Sequence, residues 1–247
     1  MIGEPSLLTT VLEVATECKI APSNVFVFDA VDHACYADHL RSWTALLSHG
    51  EADWVQFHEP DIGKDSIATL AFTSGTTGLP KAAMIAHAYH VSQIWAVQSR
   101  AKPYQVLRLL CLPAFHTFGL PLISGCALRE GHPVYLMRRF EVRRFVESIS
   151  RFAITETAVV PAMILAINTY CTGPVGRHNL DSLRYVWSAG SPLRHSTQSE
   201  FQSALSPDAK VVQVWGMTEL GWATALFWPE GDETGSVGRA LPGMQIK

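Results

Sequence analysis

Thr73-Ser74-Gly75-Thr76-Thr77-Gly78-Leu79-Pro80-Lys81 packs four hydroxyls, two glycines and one lysine into nine residues. Hydroxyls and loop N–H groups ending in a positive charge suit phosphate oxygens. Gly75 and Gly78 remove side chains where a loop must approach a ligand, and they tolerate unusual backbone angles. The segment is not a Walker A loop, which needs G-x-x-x-x-G-K followed by Ser or Thr. Here the glycines are too close, Leu79-Pro80 precede Lys81, and Ala82 follows it. The plain alternative is a polar β-turn with a solvated lysine, since such residues dominate ordinary turns. His116 lies between Phe115 and Phe118. Taken alone it also fits a packed loop histidine satisfied by a backbone carbonyl. Gly-x-Ser-x-Gly is absent. The histidines and cysteines lack metal-ligand spacing, so no zinc site is expected.

The elements that must position these residues alternate. Helix spacing appears over residues 5–18 and 37–49, with a short buried strand at 25–28. Residues 51–66 are polar, contain Pro60 and Gly63, and read as a loop. A strand over 67–72 runs into the glycine loop. Helices follow at 87–100, 120–129, 141–151, 161–170 and 194–204. Strands follow at 106–112, 132–137, 155–160, 183–187 and 210–215. This alternation predicts an α/β fold with layered, largely parallel sheets and flanking helices. Arg143, Arg144 and Arg151 beside Glu141 and Glu147 predict an ion-paired solvent face on the 141–151 helix. The stretch 235–247 is rich in Gly and Pro and reads as ending without a closing helix or strand.

Composition narrows the function classes. Hydrophobic residues make up 48% and charged residues 17% of the 247, which excludes a disordered chain. Lys and Arg (19) do not outnumber Asp and Glu (22), so a basic nucleic-acid binder is not expected. No apolar run reaches the length of a membrane span, and the first residues lack the pattern of a secretory signal. The five cysteines form no C-x-x-C and read as reduced thiols of a cytoplasmic protein.

Five ordered segments share one resemblance. Phe72–Ala82 resembles the phosphate loop of the adenylate-forming superfamily, which includes acyl-CoA synthetases, coumarate–CoA ligases and luciferase. Pro113-Ala114-Phe115-His116-Thr117-Phe118-Gly119 resembles its P-x-F-H motif, and Ser188–Leu193 its S-G-(A/G)-(A/S)-P-L turn. Gln213-Val214-Trp215-Gly216-Met217-Thr218-Glu219 resembles Q-x-Y-G-M-T-E, and residues 235–243 resemble G-x-V-G-x-x-x-P-G. The coumarate–CoA ligase and acyl-CoA synthetase branch is the nearest in wording.

The resemblance implies ATP, Mg²⁺ and CoA as cofactors and a carboxylic acid, aromatic or medium-chain, as substrate. It assigns Thr73, Ser74, Gly75, Thr76, Thr77, Gly78 and Lys81 to the β- and γ-phosphates of ATP. It places Thr218 at the α-phosphate, Glu219 on Mg²⁺, Trp215 against adenine in place of the usual Tyr, and Gly216 in the nucleotide site. Ala189, Gly190 and Ser191 would line the adenine and acyl-adenylate site, with Gln213 near the acyl group or adenine and Val214 near the acyl group. His116 would sit beside the substrate carboxylate. Phe118 and Leu122 would line the acyl pocket, Leu122 making it more apolar. Arg139 would meet a CoA phosphate, or else is a solvated cation.

The resemblance also implies an extent. The chain reads as the central part of a large N-terminal adenylation domain, and a Tyr-x-Thr-Gly-Asp ribose segment and an adenylating Lys are not among its motifs. An acid–CoA ligase, a non-catalytic nucleotide-binding remnant and an adenylation module serving a carrier protein remain the readings. The adenylating step by this chain alone is expected to be slow.

Overall fold

The computed structural model describes residues 1–28, 40–48, 50–51, 59–73, 78–97, 101–171 and 180–247. The chain divides into two units, Met1–Gln56 and Phe57–Lys247. In the first, β1 (Ile2–Gly3), β2 (Phe26–Val27) and β3 (Arg41–Ser42) form a parallel sheet, with α1 (Leu8–Glu17) between β1 and β2.

The helix expected over 37–49 is corrected in part: among its described residues, Arg41–Ser42 form β3, and a 3₁₀ helix, not an α-helix, follows over Trp43–Ser48. Tertiary pairing overrides local spacing here. Arg41 lies opposite Phe26 in the sheet, its guanidinium stacks 4.8 Å from the Phe26 ring, and it donates to the Ser23 carbonyl at 2.7 Å.

The second unit opens with α2 (Pro60–Asp65), inside the stretch expected to be a loop. Proline at the first turn and the Asp61–Lys64 pair at 3.0 Å suit a short helix. β4 (Ile67–Thr73) and β5 (Lys81–Ala86) then pair antiparallel, with Thr73 opposite Lys81. Thr73 and Lys81 thus stand at the paired ends of a hairpin, and β5 is a strand that hydrophobic alternation did not reveal. α3 (His87–Val97) follows.

From there the α/β alternation holds. β6 (Arg108–Leu110), α4 (Cys126–Glu130), β7 (Val134–Leu136), α5 (Val142–Arg151), β8 (Glu156–Val159), α6 (Pro161–Cys171), β9 (Tyr185–Ser188), α7 (His195–Ser203) and β10 (Lys210–Gln213) follow one another. Their five strands form one parallel sheet in the order β10-β9-β8-β6-β7. The order reverses between β6 and β8, and such a switch point opens a crevice at the strands' carboxyl ends.

Residues alternate across the sheet. Leu109, Val159, Val186 and Val211 face α5, α6 and α7, where Phe145, Ile149, Ile164, Ile167 and Phe201 fill one core. Leu110, Ala158, Tyr185, Trp187 and Val212 face the opposite core with Val97, Cys126 and Trp222. On α5 the solvent face carries Arg143–Glu147 (2.7 Å) and Arg144–Glu141 (2.6 Å), as its amphipathic pattern predicts.

Against the second core packs a small antiparallel sheet of β11 (Trp215–Met217), β12 (Gly221–Ala225) and β13 (Arg239–Ala240). Strand structure within 235–247 is thus a correction. Gly238, at φ +89°, approaches β12 so closely that a Cβ would lie 2.4 Å from the Ala225 carbonyl carbon. That approach is open to glycine alone.

Burial also sets thiol reactivity. Burial, then the nearby Glu130 carboxylate, pushes the Cys126 thiol up to about 11, and burial pushes Cys111 up to about 12. Cys18 is exposed. Since the thiolate is the nucleophile, iodoacetamide on the folded protein should label Cys18 and spare Cys111 and Cys126. Peptide mass spectrometry showing Cys126 labelled as fast as Cys18 would contradict the packing of α4.

Candidate active site

Three connections at the carboxyl edge of the parallel sheet, those after β6, β9 and β10, carry parts of one cleft. After β6, the turn at Pro113–Gly119 is closed by His116 N–H to the Pro113 carbonyl and Gly119 N–H to the His116 carbonyl, both 3.0 Å. The Phe118 N–H donates to His116 Nδ1 at 3.1 Å. Nδ1 is therefore the acceptor nitrogen, and the proton of a neutral ring sits on Nε2. After β9 come Ala189 and Gly190, the latter at φ +92°. After β10 the Val214 N–H donates to the Ser188 carbonyl at 2.8 Å, and the chain enters the β11–β12 turn that carries Thr218 and Glu219. The β4–β5 hairpin adds Thr73 and Lys81 from its paired ends.

Together these line a cavity of about 500 Å³. Of the residues singled out in the sequence, Thr73, Lys81, His116, Phe118, Ala189, Gly190, Val214, Gly216, Thr218 and Glu219 line it. Ser74, Gly75, Thr76 and Thr77 lie outside the described residues. The others are placed elsewhere. Gly78 and Ser191 are exposed beyond the lining, and Trp215 is 43% exposed on β11. Arg139 is exposed in the connection from β7 to α5. Leu122, 1% exposed, packs in the core with Phe118 and Trp222. Gln213 is turned to the loop after Gly190: its Oε1 accepts the Leu193 N–H at 2.9 Å and its Nε2 donates to the Leu193 carbonyl at 3.3 Å.

Thr117, Met217, Gly221 and Trp222 complete the lining. Sequence reasoning missed the last two, although a glycine two residues past Glu219 is a turn signal. A second cavity of about 320 Å³ adjoins, sharing His116, Thr117 and Thr218 and walled by Leu70, Phe72, Ile85, Phe115 and Leu120. It is mostly apolar, where the first mixes polar and apolar walls. Behind the Thr218 turn, burial and then the Glu219 carboxylate push the Tyr89 hydroxyl up to about 12.

Chemically, the cleft offers one lysine, one carboxylate, three threonine hydroxyls and an imidazole beside an apolar chamber. Among the described residues, no three His, Cys, Asp or Glu side chains gather as a protein-only metal site. Residues 8–247 match the AMP-binding enzyme family. The chain belongs to this family. As an AMP-binding family member, it is 41% identical over 250 residues to the phenylacetyl-CoA ligase epaB of Aspergillus niger, covering 100% of this chain and 46% of that one. It is 40% identical over 250 residues to the acyl-CoA ligase azaF of the same species, covering 100% and 47%. Among solved structures, the luciferase-like enzyme from the nonluminescent mealworm Zophobas morio matches with a TM-score of 0.75 at 21% identity, over 98% of this chain and 55% of that one. At that identity the match speaks for the fold alone. The chain spans about half the length of the curated relatives it matches. No helix among its described residues is long and apolar enough to cross a membrane.

Proposed function

We propose that this chain carries the phosphate and acyl walls of an acid–CoA ligase site, which joins a carboxylic acid to CoA at the expense of ATP. The observation that carries the reading is the convergence of Lys81, His116, Thr218 and Glu219 on one cleft with an apolar chamber beside it. In the first step a carboxylate oxygen bonds to the α-phosphorus of ATP, and the bond to pyrophosphate breaks. In the second the CoA sulfur bonds to the acyl carbon, AMP leaves, and the thiol proton passes to solvent.

Lys81 and Thr73 hold the β- and γ-phosphates, with the hydroxyls of Ser74, Thr76 and Thr77 between them in sequence. Thr218 meets the α-phosphate. His116, with Nε2–H as donor, orients the substrate carboxylate. The apolar chamber takes the acyl group, and its volume of about 320 Å³ supports an aromatic or medium-length acid. Arg139, whose planar fork suits phosphate, takes the CoA phosphate. One carboxylate, Glu219, beside the Thr218 hydroxyl fits Mg²⁺, which keeps most of its shell for phosphate oxygens and water. When bound, that ion supplies charge neutralisation at the phosphates. This chain forms the central part of the relatives' adenylation domain, in a cytoplasmic setting where thiols stay reduced.

Lys81→Ala should weaken Mg-ATP binding by about 1–3 kcal/mol, the cost of a lost charge-assisted contact. Lys81 is exposed and supports no core, so thermal stability should hold. Titration calorimetry giving equal affinities for the variant and the parent chain would sink the phosphate assignment.

A further inference from the structure

The turn that presents Thr218 and Glu219 to the cleft is held from behind by side chains of α3, above all by Gln93. Gln93 is 3% exposed. Its Nε2 donates to the Leu220 carbonyl at 3.1 Å and to the Trp222 carbonyl at 3.3 Å, and its Oε1 accepts the Trp222 N–H at 2.8 Å. Both amide protons and the amide oxygen are used, all on the backbone just past Glu219. One helical turn earlier on the same face, the Tyr89 hydroxyl reaches the Thr218 carbonyl at 3.5 Å.

The fit is close enough to demand glycine on the other side. Gly221 sits at φ +70°, and a Cβ there would lie 2.4 Å from Gln93 Cδ and Oε1 and 2.7 Å from the Tyr89 oxygen. Across the turn, a Cβ on Gly216 would lie 2.1 Å from the Gly221 carbonyl oxygen. Three surfaces thus meet with no room for a methyl group: the α3 face, the Gly221 backbone and β11.

We propose that Gln93 is a positioning residue, and that its amide, seated against Gly221, sets where Thr218 and Glu219 stand in the cleft. The inference rests on the reading above that these two residues serve the nucleotide and its metal. Gln93 itself does not line the cleft that holds Lys81 and Glu219, so it acts through the turn. Its chemistry is specific. A carboxylate at this position keeps the shape but sets charged oxygens against the Leu220 and Trp222 carbonyls. A methionine keeps the length and removes every hydrogen bond.

The test compares Gln93→Glu, Gln93→Met and Glu219→Gln in the full 247-residue chain. The readouts are hydrogen exchange over residues 215–225 and the affinity for ATP with and without Mg²⁺. Exchange in that segment should speed up by about tenfold in Gln93→Met, with α5 and α6 unchanged. Both Gln93 variants should lose about tenfold of the Mg²⁺-dependent gain in ATP affinity, while metal-free affinity, carried by Lys81, holds. In the Glu219→Gln background, Gln93→Met should produce no further loss of that gain. Unchanged exchange over 215–225 overturns the proposal whatever the nucleotide does. A Mg²⁺ gain that falls in Glu219→Gln but holds in both Gln93 variants overturns it while sparing the ligase reading. A gain untouched by Glu219→Gln refutes the metal assignment itself, and the exchange result then decides on Gln93 alone.

Discussion

Replacing Glu156 by alanine is expected to cost the fold about 3–5 kcal/mol, the usual result of removing one partner from a buried ion pair. Glu156 opens β8, and its side chain is fully enclosed. It pairs with Lys102, and its Oε2 accepts from Arg108 Nε at 3.0 Å. Tyr104 donates to Oε1 at 3.1 Å. Arg108 opens β6 directly opposite Glu156 in the parallel register and also meets Glu130 at 3.4 Å. Burial draws the Lys102 ammonium below its ordinary pKa, with Glu156 working against that shift. Burial, then Glu156, holds the Tyr104 hydroxyl above its own.

Alanine would leave two cations enclosed with much of their compensation gone, so the loss should far exceed that of any surface pair. The check is urea unfolding: the midpoint should drop with the slope unchanged, while Glu147→Ala, which breaks an exposed pair on α5, should leave the midpoint in place. A loss below about 1 kcal/mol for Glu156→Ala, the range of exposed pairs, would mean that the network is not a staple. It sits at the amino ends of the strands, whereas the cleft sits at their carboxyl ends. Stability chemistry and ligand chemistry therefore occupy opposite edges of one sheet.

That division also explains what the sequence made legible. The strands and helices from residue 108 to 213 were readable because the sheet is covered on both faces. Its strands carry short apolar runs at their centres, and α5 shows a clean helical stripe. The site was readable because its parts are concentrated in short, distinctive segments, so Lys81, His116, Gly190 and Glu219 could be named before any geometry. What stayed hidden depends on partners distant in sequence. Arg41–Ser42 became a strand only through Phe26 and Ser23. Lys81–Ala86 became one only because β4 lies alongside it. The strand pair β12–β13 rests on Gly238 passing against Ala225, a contact that no local pattern encodes. Gln213 reads as a site residue by its place beside the Thr218 motif, yet its amide is spent on the Leu193 loop. Gln93 reads as one more polar residue on a helix, yet its amide meets a turn 127 residues away at Leu220.

Trp222→Ala is the second large effect, expected to cost about 3–5 kcal/mol as a buried aromatic truncation. Trp222 is 1% exposed and lines the cleft while packing into the core. Its ring lies 5.4 Å from Phe118 and 6.0 Å from Trp187, and its Nε1–H donates to the Phe118 carbonyl at 3.1 Å. Its backbone is the strand that Gln93 grips. One residue therefore joins the α3 brace, the His116 turn and the β9 strand that leads into Gly190. Alanine would open a cavity beneath all three, so Mg-ATP affinity should fall along with stability. Trp222→Phe separates the two contributions. It keeps an aromatic ring against Phe118 and Trp187 but leaves the Phe118 carbonyl without its donor, a loss of about 1–3 kcal/mol. Urea unfolding and calorimetry on both variants check the order. The alanine variant should be the less stable, and the phenylalanine variant should keep phosphate binding through Lys81. A phenylalanine variant as destabilised as the alanine one would show that the indole hydrogen bond, and not the ring packing, ties the core to the cleft.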